Sequence, residues 1–543
     1  MSTTVLERGS LDRSDWMLIT VIALGSLLLF GLSNSVWYGD ATTYVSDIRA
    51  GNLIEPGHLL WRPLAYLVAA SVGGLRSVSD ALWTLQWLSL MSSALAVVGM
   101  SFFLLKVGCN RFITSATAAL LVVSNGFWTY SFSGCSYSLS IFLLIIAMIF
   151  AVAKRDAPAS LCSAVLAGGF AGASAATWAI QCLSIPAVLL ILVLTPRWDR
   201  ALRRDHLRNS IAMMTGCVLT FVVPLLAAWN VQATHAFESG GRPPARSLHL
   251  WLSSTNHGIP AHLGVSQLAR VLIGWPQSIL SISDLGQKLR LWGLHERGFP
   301  WSPWMLTPIV VYAGAMYSSY VLLKRFATHS NFERGLIVAS LVAICANLLF
   351  AVTWQGSDLE RYFPSLPFQL LLLALAAKTK AHARGGMANV VIAIALCGIA
   401  SVNWEGAFAK AFSTDSYRQE WLRELHKATS GKDLVIVLGQ RKSVISNPHD
   451  PNMPKIDNLS NEIVMRGTGW EAAELRNIQE TMRHGGRVFL GDSLFGTDES
   501  ARDGWSFKEY PSPSPLEIQR VFLPFKSDTV TFTAAGERVW LGR

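Results

Sequence analysis

One short stretch, WYGDATTYVSDIRAGNLIEPGHLLWRPL (37–64), sets Asp40, Asp47, Glu55, His58, Arg49 and Arg62 close together. A carboxylate in such company can serve as general base toward an incoming hydroxyl, which makes Asp40 and Asp47 the catalytic candidates. Carboxylates beside a histidine can hold a divalent cation, Mg2+ or Mn2+, that neutralises a phosphate leaving group, and Glu55 and His58 are the candidate ligands. Arginine suits phosphate because its planar guanidinium offers a fork of N–H donors, and Arg62 is the candidate here. Composition alone also reads these charges as a solvated loop, since loops are ordinarily polar.

Two further stretches carry candidates. In GSDLERYFPSLP (356–367), Arg361 and Tyr362 are read as phosphate-binding, or else as a snorkelling arginine and a belt tyrosine. In NGFWTYSFSGCSYSLSIF (125–142), Trp128, Tyr130 and Tyr137 are read as lining a sugar site or as interfacial aromatics.

The elements that must position these residues follow from hydropathy. Hydrophobic residues make up 51% of the chain and charged residues 15%, against roughly 25% charged in soluble proteins. A helix needs about 20 apolar residues to cross a bilayer. Eleven runs qualify: 16–37, 81–105, 112–132, 137–153, 160–178, 180–196, 209–233, 302–323, 335–354, 364–378 and 387–404. Residues 60–73 are too short to span and are read as interfacial or re-entrant, and 265–282, broken by Trp275–Pro276, are read the same way. Lys and Arg of the short loops (Arg8 and Arg13, Lys106 and Arg111, Lys154 and Arg155, the arginines of 197–208, Lys324 to Arg334, Lys378 to Arg384) fall on one side of this arrangement. The positive-inside rule makes that side, and the N-terminus, cytoplasmic. The loops 38–80, 234–301 and 355–363 then face outward, and so does the tail.

The net charge of +10 does not indicate nucleic acid, because the basic residues lie in short loops between apolar runs. The seven cysteines lie in or beside apolar segments with no CxxC pair, and are read as structural thiols. GGFAGAS (168–174) has small residues at helix-packing spacing. No GxxxxGK[ST], HExxH or GxSxG occurs, which leaves ATP-driven pumps, zinc proteases and lipases without their usual marks.

After residue 405 the character changes. DLVIVLG (433–439) and GRVFLGD (486–492) read as buried strands, and GWEAAELRNIQETMRHGG between them as a helix. Pro- and Asn-rich 444–460 reads as a loop. The expected organisation is a membrane domain at 1–405 and a small α/β domain at 406–543.

Four stretches in this order resemble the polyprenyl-phosphate-dependent glycosyltransferases of the GT-C superfamily. They are GDATTY around Asp40 after the first helix, EPGHLLWRPLAYL (55–67), GGFAGASAATWAIQCLSIPAVLLIL (168–192) and ERYFPSLPFQLLLLA (360–374). The resemblance agrees with the polytopic helical fold of about eleven spans followed by an outward domain, and the short basic loops and cysteine-free tail favour a bacterial inner membrane. The resemblance implies transfer of a sugar, with inversion, from a polyprenyl-phosphate donor to a glycan, lipid or protein acceptor on the outer face. It gives the acidic role in loop one to Asp40, looser metal or phosphate contact to Asp47, Glu55 and His58, and phosphate binding to Arg361. There are departures: no second acidic residue follows Asp40, and Cys135 stands where one related family has an acid. Two other classes stay open, a lipid or glycan transporter and an assembly protein that works through its tail. The scarcity of charges within the spans weakens the transporter, which usually places some there.

Overall fold

The computed structural model describes residues 11–31, 41–55, 57–75, 78–152, 160–195, 203–238, 265–280, 306–353, 359–384, 386–403, 424–425, 427–438, 454–459, 469–495, 514–534 and 537–542. Asp40 lies outside them.

Helices occupy all eleven expected spans. They are α1 (Arg13–Gly31), α4 (Val78–Lys106), the pair α5 (Arg111–Val123) and α6 (Asn125–Ser131), α7 (Tyr137–Ala151) and α8 (Leu161–Thr177). There follow a 3-10 turn (Ala179–Ser184) leading into α9 (Ile185–Leu194), and then α10 (Arg203–Cys217), which runs on into α11 (Val223–Glu238). The last four are α13 (Leu306–Lys324), α14 (Asn331–Thr353), α15 (Leu366–Arg384) and α16 (Gly386–Asn403). Arg13–Gly31, Asp80–Lys106, Arg204–Val231 and Asn331–Val352 are each long and apolar enough to cross a membrane alone, and α5 with α6 does so as a pair bent by 65°. A 17-residue helix such as Leu161–Thr177 reaches only about 26 Å, which suits a member enclosed by longer neighbours. Every backbone polar group in lipid must be satisfied internally, so length is made up by such packed turns rather than by open chain.

The packing runs α1 on α4, α4 on α7, α7 on α8 and α8 on α10, while α14 joins α9 to α15. The small residues of 168–174 act as their spacing suggests. A Cβ on Gly168 would lie 1.9 Å from the Met213 carbonyl oxygen, and one on Gly172 would lie 2.1 Å from Thr220 Oγ1. The backbones of α8 and α10 therefore touch, and Cys217 Sγ donates to the Gly168 carbonyl at 3.2 Å. A π-helical turn (Val218–Val222) joins α10 to α11 just before Pro224, whose ring and missing N–H disturb the preceding turn.

Two short helices complete the end of the bundle that holds loop one: α2 (Ala41–Ala50) and α3 (Trp61–Ser71). Helix α12 (Val265–Ile279), with Pro276 inside it, packs on α6 and α14. Eleven residues of α3 rise about 16 Å, too little to span, as 60–73 implied. The basic residues gather at the other end. Arg111 is ion-paired to Asp12 and Asp15, and Lys378 Nζ lies 3.0 Å from Glu333 Oε1. Lys378 also donates to the Val107 carbonyl at 3.4 Å.

The C-terminal region carries a five-stranded sheet, ordered β2-β1-β3-β5-β4, from β1 (Leu434–Val437), β2 (Lys455–Asn458), β3 (Val488–Gly491), β4 (Lys526–Ala534) and β5 (Glu537–Gly542). The first three strands are parallel and the last two antiparallel. Helices α17 (Trp470–Arg483) and α18 (Pro515–Phe522) cover one face with Trp470, Ile478, Ile518 and Phe522. β2 corrects the loop reading of 444–460: KIDN has no hydrophobic run, and it forms a strand because it pairs along β1 at the sheet edge.

Candidate active site

Loop one is built around Arg62, on the first turn of α3 and 8% exposed. Its Nη2 lies 2.9 Å from Asp47 Oδ2 and 2.9 Å from Glu55 Oε2, so one guanidinium clamps an acid from α2 and an acid from the connecting chain. The guanidinium carbon also sits 5.7 Å from the Tyr44 ring centroid. Asp47 is half-buried. Burial raises its carboxyl above the ordinary range, with Arg62 opposing the shift.

His58, 7% exposed, fastens this loop to the bundle. The Tyr44 hydroxyl lies 2.8 Å from Nε2, while Ser136 Oγ and the Thr177 carbonyl oxygen lie 2.9 and 3.1 Å from Nδ1. A carbonyl only accepts, so in the neutral ring the proton sits on Nδ1 and Tyr44 donates to Nε2. Backbone bonds repeat the attachment: Leu60 N donates to the Ala176 carbonyl at 2.8 Å, and Ala179 N to the Gly57 carbonyl at 2.9 Å.

The second cluster stands on the 3-10 turn Leu359–Ser365 before α15. Arg361 Nη1 lies 3.0 Å from Glu360 Oε1, and both residues are buried. Asn347, within α14 and fully buried, donates from Nδ2 to the Arg361 carbonyl at 2.6 Å and accepts from Ser365 Oγ at 2.7 Å. Ser184 donates to the Pro364 carbonyl at 2.9 Å. Tyr362, also fully buried, directs its hydroxyl to the Val271 carbonyl of α12 at 3.4 Å.

The clusters share one end of the bundle and one aromatic floor. Phe363 meets Tyr137 at 5.9 Å, Tyr130 at 5.5 Å and Trp178 at 6.4 Å between ring centroids. Tyr137 directly follows Ser136, the partner of His58, and Phe363 lies two residues after Arg361. Trp128 is buried in α6 at 3% exposure, close to this floor in sequence.

The described donors do not fit a divalent cation. Both His58 ring nitrogens are hydrogen-bonded, the Asp47 and Glu55 carboxylates are turned on Arg62, and no cluster of three His, Cys, Asp or Glu able to hold a metal occurs among the described residues. Sequence reasoning missed Tyr44, Ser136, Glu360 and Asn347. Tyr44 stands one helical turn before Asp47 and Glu360 beside Arg361, which are local signals. Asn347 and Ser136 meet their partners only through folding.

No family model matches the chain, and no curated protein sequence does. Solved structures do. ArnT from Cupriavidus metallidurans bound to undecaprenyl phosphate superposes with a TM-score of 0.54 at 10% identity, covering 98% of each chain. The same enzyme in its apo state gives 0.53 at 10% identity, covering 97% of this chain and 98% of that one. The Archaeoglobus fulgidus oligosaccharyltransferase in complex with Zn and sulfate gives 0.46 at 14% identity over 76% of this chain, which spans about 55% of its length. The chain is a polytopic helical protein of the same fold as ArnT along its whole length.

Proposed function

We propose that this protein is a membrane glycosyltransferase that moves a sugar from a polyprenyl-phosphate donor to an acceptor at the outer leaflet. The observation that carries the reading is the superposition on ArnT over 98% of both chains, on a structure that holds undecaprenyl phosphate. The two charged clusters at the loop-one end supply a chemistry that agrees with it. A basic opposite end, rich in Lys and Arg, supports a cytoplasmic assignment there and an extracytoplasmic site, in a bacterial inner membrane.

In the proposed reaction an acceptor hydroxyl attacks the anomeric carbon. A carboxylate of loop one takes the hydroxyl proton, the bond from that carbon to the phosphate oxygen breaks, and the lipid phosphate departs with the bonding electrons. The configuration inverts. Asp40 is assigned as the base, and Asp47, seven residues later in the sequence, is held by Arg62. Arg361 stabilises the departing phosphate, because a fixed cation in a water-poor site is most effective where charge develops. No step is routed through a metal.

The test is sugar transfer in membranes from cells that express the protein. Asp40→Asn is expected to abolish transfer at unchanged protein level, since the amide cannot take the proton. Full transfer by this variant would remove Asp40 from the mechanism. Treatment with EDTA is expected to leave transfer unchanged. A loss that Mg2+ or Mn2+ restores would show a metal site beyond the donors described above.

A further inference from the structure

Of the two arginines singled out by sequence for phosphate, Arg62 is neutralised by two carboxylates and Arg361 faces Glu360, whereas Arg49 has no ion pair among the described residues. Arg49 Nε and Nη1 are sealed from solvent and have no hydrogen-bond partner among the described residues. The same holds for Trp61 Nε1, in a side chain that is fully buried, and for Arg62 Nε. Arg49 sits in the last turn of α2 and Trp61 in the first turn of α3, and these two helices pack together. Asp47 and Glu55 are directed at Arg62. The α2–α3 corner thus holds an excess of sealed N–H donors over acceptors.

Buried polar groups are nearly always paired, and an unmatched set of one sign points to a missing partner of the opposite kind. Here the one acceptor of the set, Glu55 Oε2, is met by Arg62 at 2.9 Å as an ion pair, and the groups left over are N–H donors of Arg49, Trp61 and Arg62. The missing partner is an anion with several oxygens. We propose that Arg49, supported by the Trp61 indole, holds a phosphate monoester at the α2–α3 corner. Arg49 as a residue is half-buried although its Nε and Nη1 are sealed, so an arriving phosphate must displace the side chains that cover those two atoms. Arginine meets two phosphate oxygens through parallel N–H bonds, and an indole N–H can only donate. The division of labour follows: Arg62 holds the loop together and Arg49 receives the ligand. Identifying the monoester with the lipid phosphate that the sugar donor releases on transfer rests on the glycosyltransferase reading; the anion site does not.

The experiment uses the full chain purified in non-ionic detergent. Thermal unfolding is followed with inorganic phosphate and with chloride at equal ionic strength, and lipid retention is measured by native mass spectrometry with undecaprenyl phosphate or phosphatidylglycerol. Phosphate is expected to raise the Tm of the wild type above the chloride control, and Arg49→Gln to abolish that rise. Undecaprenyl phosphate retention is expected to fall about tenfold or more in Arg49→Gln, less in Arg49→Lys, which keeps the charge but loses the fork, and less in Trp61→Phe. Equal phosphate effects in wild type and Arg49→Gln would overturn the proposal. So would a higher Tm in Arg49→Gln with retention intact, which would mark Arg49 as a merely unpaired charge. If Arg49 governs the phosphate effect while both lipids bind alike, the site stands as a headgroup site and the donor assignment falls.

Discussion

Arg62 carries two acids on one nitrogen, and its removal would leave both without their cation in a partly water-free pocket. Arg62→Ala is expected to destabilise the protein by about 3 kcal/mol, the cost typical of stripping one partner from a buried ion pair. Arg62→Lys should recover part of that, because an ammonium supplies the charge without the fork. Thermal unfolding in detergent separates the two outcomes, and an unchanged Tm in Arg62→Ala would show that the clamp does not hold loop one. His58 makes a parallel case. His58→Phe keeps a ring but leaves Tyr44, Ser136 and the Thr177 carbonyl without their common partner, so it should cost about 2 kcal/mol. A variant that melted like wild type would show that water replaces the ring. At this scale the sequence was informative about type and incomplete about partners. Asp47, Glu55, His58 and Arg62 were visible as reactive residues. Their mutual pairing was not, because a salt bridge between residues 47 and 62 depends on how α2 meets α3.

Among the elements, α8 and α10 have the tightest contact, and the small side chains of 168–174 make it possible. Gly168→Ala would place a methyl group within 2 Å of the Met213 carbonyl, and that carbonyl is main chain with no freedom to turn aside. Either helix must move, which costs about 2–3 kcal/mol in a well-packed interior. The expected result is a sharp fall in folded protein recovered from membranes and a lower Tm, whereas Gly169→Ala, with nothing within 4 Å of its Cβ, should behave as wild type. Equal yields for the two variants would show that the helices do not meet so closely. The long spans were legible from hydropathy because a bilayer demands apolar length. The bend between α5 and α6 and the π-helical turn before Pro224 were not, since they answer to neighbours and to local backbone geometry.

For the whole molecule, the C-terminal sheet ties the starts of two neighbouring inner strands, β1 and β3, with charge. Burial alone would raise the Asp433 carboxyl, but hydrogen bonds from the Arg487 side chain and backbone and from Ser430 outweigh it and hold the group below the ordinary carboxylate range. A depressed folded value favours the ionised form. The stabilisation is therefore complete above the unfolded value near 3.8 and fades as pH falls through the lower folded value. Thermal unfolding of the full chain from about pH 4 down to about pH 2, the side of 3.8 on which the contribution is lost, should show a steeper fall of Tm in the wild type than in Asp433→Asn. Identical slopes would remove Asp433 from the acid sensitivity.

By itself the sequence determined that this chain belongs in a bilayer, where its helices lie, that its basic loops share one side, and that strands at 434–437 and 488–491 flank a helix. Those features rest on hydropathy and charge, which act over lengths a single chain displays in order. Tertiary structure alone decided that Arg62 is spent on two carboxylates, that His58 is a fastening, that Asn347 fixes the turn bearing Arg361, and that KIDN is a strand. Each depends on a partner distant in sequence, and a hydrogen bond or ion pair forms only within about 3 Å, a proximity that packing creates and composition cannot record.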